Sequence, residues 1–146
     1  MTWVRFRDRR TRQEFYLWNT HLDHALQPAR EKAARLILER MEKQGRTLPQ
    51  LLIGDFNAYA AANPVYDLLV SQGGLTDTWT VAQERQNEDV NSFNGFEPLK
   101  REGKRIDWIL VRGKVSVRQT GVRTDEIGGR YPSDHFPVLA RLTLEP

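Results

Sequence analysis

The side chains best suited to chemistry fall into four short groups. They are Asn19-Thr20-His21-Leu22-Asp23-His24, Gly54-Asp55-Phe56-Asn57, Asp107 within Arg105-Ile106-Asp107-Trp108-Ile109-Leu110, and Ser133-Asp134-His135-Phe136-Pro137-Val138. Together they offer carboxylates, imidazoles and an amide, and no serine or cysteine nucleophile motif. Carboxylate and amide oxygens suit a hard cation such as Mg²⁺ or Mn²⁺, which takes few protein ligands and keeps waters. Histidines titrate near neutrality, so they can donate to a phosphate or move a proton. A cation, an activated water and donors around an anion are the parts of metal-assisted phosphoester hydrolysis. Each group alone has a plainer reading: Asp55-Phe56-Asn57 as a turn with Asx hydrogen bonds, Asp134-His135 as a loop pair, His21 as a satisfied histidine. Four of them in one short chain favour the chemical reading. Asp107 adds a specific expectation, because an apolar strand rarely carries an unpaired carboxylate; a partner is required, and an imidazole fits. Side chains alternate along an extended segment, so Asp55 and Asn57 are expected to point into one pocket while Phe56 packs the other way.

These groups sit at the ends of expected strands, where α/β domains gather functional side chains. Trp3, Val4 and Phe6 read as a first strand, Asp8–Arg12 as a polar turn, and residues 14–20 as a second strand completing a hairpin. Pro28 suits a first helical turn, with Ala29, Ala33, Leu36, Ile37 and Met41 on one face and Gly45 as the stop. Glu31/Arg35 and Glu39/Lys43 are i,i+4 pairs on it. Residues 50–53 read as a buried strand, and Asn63-Pro64 caps a shorter helix to about Leu69, closed by Gly73-Gly74. Residues 106–111, 115–122 and 138–144 are further strands. Strands and helices mix without strict alternation, which predicts an α/β (α+β) domain, a mixed sheet flanked by helices.

Of the 146 residues, 39% are hydrophobic and 28% charged, which is globular composition. No apolar run approaches the roughly 20 residues of a bilayer span. With no cysteine there is no disulfide and no thiolate zinc site. The alternating N-terminal residues do not form a secretory leader, so a cytoplasmic location is the expectation. No repeat or linker divides the chain, and residues 1–146 read as a single domain. The net charge of +3 is unevenly placed: Arg5, Arg7, Arg9, Arg10 and Arg12 cluster near the start, and Lys100-Arg101-Glu102-Gly103-Lys104-Arg105 forms a second basic group. These are solvated segments or phosphate-steering patches, but a uniformly cationic nucleic-acid binder is excluded. Trp3, Trp18, Trp79 and Trp108 read as core side chains, with base stacking as the alternative.

The four groups, with Ser92-Phe93-Asn94-Gly95-Phe96, resemble in order the segments of the endonuclease/exonuclease/phosphatase family, the deoxyribonuclease-I-like hydrolases. The resemblance runs over residues 19–138. It implies part of a four-layered α/β/β/α sandwich, dependence on Mg²⁺ or Mn²⁺, and hydrolysis of phosphomonoesters or phosphodiesters. It further implies that His21 contacts the phosphate or assists the leaving group, and that Asp55 exchanges a proton with the attacking water or leaving oxygen. Asn57 would bind the same phosphate oxygens, Asp107 would orient His135, His135 would donate to the phosphate, and Asp134 would be a metal ligand. Asn94 and Arg105 would contact the substrate, which carries phosphate and includes DNA and RNA among its candidates.

The family's N-terminal side ordinarily supplies an Asn and a Glu that is the principal metal ligand. Neither has a counterpart here. The chain is therefore expected to be the C-terminal half to two-thirds of the domain, binding cations weakly and exposing one sheet face that invites homodimerisation or another chain. The alternative function is a non-catalytic remnant that binds phosphate ligands or a partner.

Overall fold

The computed structural model describes residues 1–145. β1 (Thr2–Arg7) and β2 (Glu14–His21) form an antiparallel hairpin, from Thr2 opposite Asn19 to Arg7 opposite Glu14. α1 (Gln27–Lys43) then crosses over to β3 (Gln50–Asp55), which lies parallel to β2. α2 (Pro64–Tyr66), capped by the Asn63 side chain, runs into a π-helical stretch, Asp67–Gln72. Then come β4 (Thr76–Asp77), α3 (Thr78–Val81), β5 (Glu84–Gln86), β6 (Asp107–Arg112), β7 (Val115–Val122) and β8 (Val138–Leu144). Two sheets result: β1-β2-β3-β6-β4 and β5-β7-β8. Where one mixed sheet was expected there are two, the second of three strands, with β8 against β6.

The helices cover one face of the larger sheet. Trp18, Leu52 and Leu110 are in register across β2, β3 and β6 and fully buried, and Ala34, Ile37 and Met41 of α1 join their cluster. The buried stripe of α1 differs from the expected one. Ala34, Ile37, Leu38 and Met41 hold the i, i+3, i+4, i+7 positions, and Leu36 is 47% exposed. Of the two expected ion pairs on α1, Glu39–Lys43 forms at 2.6 Å, whereas Glu31 accepts instead from Gln27. Trp18 and Trp108 are core, and Trp3 stacks on Trp18.

The opposite face of the sheet carries Leu17, Leu51, Ile53, Ile109 and Val111 by strand alternation. Its outer part, on β1, stays open: Val4 is 50% and Phe6 43% exposed. Among the described residues no helix is long and apolar enough to cross a membrane.

Candidate active site

Strand register brings the first three site residues together. His21 ends β2, Asp55 ends β3 and Asp107 begins β6; His21 pairs with Asp55, and Asp55 with Asp107. They form one row across three strands, on the face away from the helices. Gly54 makes the close approach of β2 and β3 practicable. Its φ is +142°, and a Cβ there would run into the carbonyl oxygen of Thr20.

His135 reaches this row from the loop before β8. Its Nδ1 lies 2.9 Å from Asp107 Oδ2, and its Nε2 faces Asp55 Oδ2 at 3.9 Å. His21 Nε2 lies 3.3 Å from the same Asp55 oxygen. One carboxylate oxygen is thus flanked by two imidazoles. Burial alone pulls the His135 imidazole below its ordinary range, but the hydrogen bond and charge of Asp107, with the charges of Asp55 and Asp134, outweigh it and leave the pKa raised. Burial pushes the Asp107 carboxyl up, against hydrogen bonding by His135 and Ser92.

Asn57 joins the site by a different geometry from the one expected. β3 stops at Asp55, Asn57 has φ +48°, and its backbone N–H donates to Asp55 Oδ1 at 2.8 Å, an Asx turn at the strand end. Its Nδ2 donates to Leu22 O at 2.9 Å and to Asp55 Oδ2 at 3.2 Å. Both amide hydrogens are used, so the side-chain oxygen is the group Asn57 has left to offer. Phe56 is buried, stacked on Trp108 at 4.2 Å.

Asp134 is exposed and lies outside the cluster; its carbonyl accepts from the N–H groups of Asn94 and Gly95. Asn94 is 6% exposed, with Nδ2 on Ser133 O and Oδ1 on the Phe96 N–H, so it holds the 133–135 loop in place. Arg105, expected to contact the substrate, is turned inward. Its guanidinium pairs with Asp77 at 2.9 Å, lies 4.1 Å from the Trp79 ring and is 6% exposed. The N-terminal arginines are equally remote from the site. Arg5 and Arg7 lie on β1 opposite Tyr16 and Glu14, and Arg9, Arg10 and Arg12 follow in the β1–β2 turn, so five residues of β2 or more, about 17–23 Å, separate them from His21.

Two residues beyond the expected set shape the site. Ser92 is fully buried; its Oγ accepts from the N–H of Ile106 and Asp107, and its carbonyl from the N–H of Phe136. It therefore spaces Asp107 from His135. The Phe93 ring packs edge-on against His135 at 5.1 Å. Both lie in the Ser-Phe-Asn-Gly-Phe segment, whose alternation of small polar and aromatic residues was the available signal.

Among the described residues, Asp55, Asp107 and His135 are the group that could hold a metal ion, with one ligand atom from each within 4.8 Å of the others. Two carboxylates and an imidazole beside a free amide oxygen fit a divalent cation that keeps waters.

Carboxylates and imidazoles thus converge at the end of two packed sheets faced by helices, a donor set chemically suited to proton transfer and to holding a cation. The chain belongs to the Endonuclease/Exonuclease/phosphatase family, whose model matches residues 2–135. It is similar to an endonuclease/exonuclease/phosphatase family protein from Bacteroides thetaiotaomicron, at 35% identity and a TM-score of 0.89, covering 98% of this chain and 55% of that one. It is also similar to a mannosyl-6-phosphatase from the same organism, at 36% identity and a TM-score of 0.86, covering 97% and 55%. These likenesses identify the architecture as the deoxyribonuclease-I-like fold. The chain spans about half the length of these structures. A third match, the bacteriocin helveticin-J of Lactobacillus helveticus, is 32% identical over 87 residues, 55% of this chain and 24% of that protein. So small a share of that protein carries no functional argument.

Proposed function

We propose that this chain carries the reacting centre of a divalent-cation-dependent phosphoester hydrolase acting on a small phosphoester. The observation that carries the reading is the row His21-Asp55-Asp107 with His135 hydrogen-bonded to its far end. A water attacks phosphorus and the P–O bond to the leaving group breaks. Asp55, between the two imidazoles, takes the proton of that water. Asp107 holds His135 by Nδ1, so the protonated Nε2–H donates to a phosphate oxygen beside Asp55. Exposed His21 contacts the phosphate from the other side and delivers a proton to the leaving oxygen.

Of the group able to hold a cation, Asp107 and His135 are engaged with each other, so Mg²⁺ or Mn²⁺ would be held by Asp55 with the Asn57 side-chain oxygen and would supply charge for the phosphate and acidify a bound water. Asp107 contributes by keeping His135 in place. The mannosyl-6-phosphatase likeness favours a phosphomonoester over a nucleic acid. The distance of the arginine cluster from the site weighs the same way. The open apolar strip at Val4 and Phe6 supports association with a second copy or another chain.

The test is release of phosphate from p-nitrophenyl phosphate, and of p-nitrophenol from its bis-ester, with Mg²⁺, Mn²⁺ or EDTA. We expect cation-dependent turnover of the monoester, abolished in His135→Ala with its thermal melt unchanged. Equal rates in parent and variant would reject the assignment. Because the chain spans about half of the structures it matches, a second reading stands beside this one: the cluster binds phosphate without turnover. Tight phosphate binding without catalysis would select it.

A further inference from the structure

A cleft of about 730 Å³ opens beside the reacting row and shares Asn57 with it. Tyr59, two residues on, and Phe93, which backs His135, present exposed rings on its walls at 51% and 48% exposure. Lys104 sits 5.7 Å from the centre of the Tyr59 ring and pairs with Glu102 at 3.0 Å. Glu97 and Lys100 also line the cleft, and neither side chain makes a hydrogen bond or ion pair among the described residues. The expected basic loop is therefore divided: Lys100 and Lys104 face the cleft, Arg101 pairs with Asp89, and Arg105 is buried.

The volume lies in the small-molecule range of about 300–1,000 Å³. A nucleic-acid track needs cations repeated along a strand, and here carboxylates interrupt them. Carboxylates repel a second phosphate but accept hydrogen bonds from hydroxyls, and ammonium groups donate to the same hydroxyls. Aromatic walls offer apolar surface to the C–H face of a saturated ring. Resting on the phosphoester reading above, we propose that this cleft binds the leaving-group half of the substrate and that this half is a hydroxyl-rich sugar ring. Tyr59 and Phe93 form the walls, and Glu97 and Lys100 read the hydroxyls.

The test compares inorganic phosphate, mannose 6-phosphate and a short single-stranded DNA, titrated into the whole chain in EDTA and followed by NMR shifts. We expect mannose 6-phosphate to bind at least tenfold tighter than phosphate. Tyr59→Ala and Glu97→Gln should each erase most of that advantage without changing phosphate affinity, and Tyr59→Phe should keep it. Equal affinities for phosphate and mannose 6-phosphate would overturn the cleft assignment and leave the phosphate site standing. Absence of phosphate binding both in EDTA and with Mg²⁺ would overturn both. DNA binding tighter than mannose 6-phosphate and weakened by Tyr59→Ala would reassign the cleft to nucleic acid.

Discussion

Replacing Arg105 with methionine removes a cation from a site with almost no water. Asp77 is 1% exposed and accepts from three donors: Arg105 Nη2 at 2.9 Å, Tyr66 Oη at 3.1 Å and the Trp79 N–H at 2.9 Å. Methionine fills much of the space but leaves the carboxylate with a phenol and an amide. Removing one partner of a buried pair costs about 3–5 kcal/mol, because the remaining charge is uncompensated. At roughly 2–4 °C per kcal/mol for a chain near this size, the melting temperature should fall by about 6–20 °C. Adding Asp77→Asn removes the stranded charge and keeps a side chain able to cap α3, so the double variant should recover a large part of the loss. Differential scanning calorimetry of the parent, both single variants and the double variant gives the coupling directly. An Arg105→Met chain melting within 2 °C of the parent, with a raised KM instead, would refute the structural role and return Arg105 to the substrate.

Three further outcomes follow from other parts of the fold. Asp107→Asn removes a charge-assisted hydrogen bond of about 1.5–3 kcal/mol, so kcat/KM should fall about ten- to a hundredfold. Because Asp107 helps raise the His135 pKa, the loss of rate on the alkaline side should move to lower pH, which a pH–rate profile reads. Gly54→Ala places a Cβ against the Thr20 carbonyl at a φ unfavourable to alanine, and should destabilise by about 2 kcal/mol or more in urea unfolding. The Tyr66 hydroxyl is pushed up to about 12, by burial first and then by the charge of Asp77. Its folded pKa is above the unfolded one, so its contribution to stability is complete below pH 10 and lost as pH rises from there towards 12. Tyr66→Phe should flatten that alkaline decline in a melt series.

What the sequence reveals, and what it hides, divides along physical lines. Strands with a continuous apolar run or clear alternation, such as residues 50–53 and 138–144, are legible because burial alone specifies them. β4, α3 and β5 span two to four residues each; no periodicity develops over so few positions, and their formation depends on pairing with β6 and β7. Leu36 and Ala34 exchange roles because a neighbouring helix and sheet, rather than hydropathy, decide which face of α1 is covered. Asp107 was legible as a carboxylate needing a partner, since burial makes that requirement general. Arg105, two residues earlier, was not: an arginine in a basic run reads as surface, and only the fold brings buried Asp77 beneath it. Asp55 and Asn57 meet as expected but through an Asx turn, because β3 ends at Asp55, two residues short of the extended segment that alternation requires.

The chain has three histidines, His21, His24 and His135, so their imidazole signals report directly on where a cation settles. Substoichiometric Mn²⁺ should broaden the ring resonances of His135 and His21 first and leave exposed His24 sharp until later in the titration. Added phosphate should then shift the His135 and His21 signals selectively. Equal broadening of all three, or His24 first, would contradict a single cation-and-phosphate centre at the ends of β2, β3 and β6.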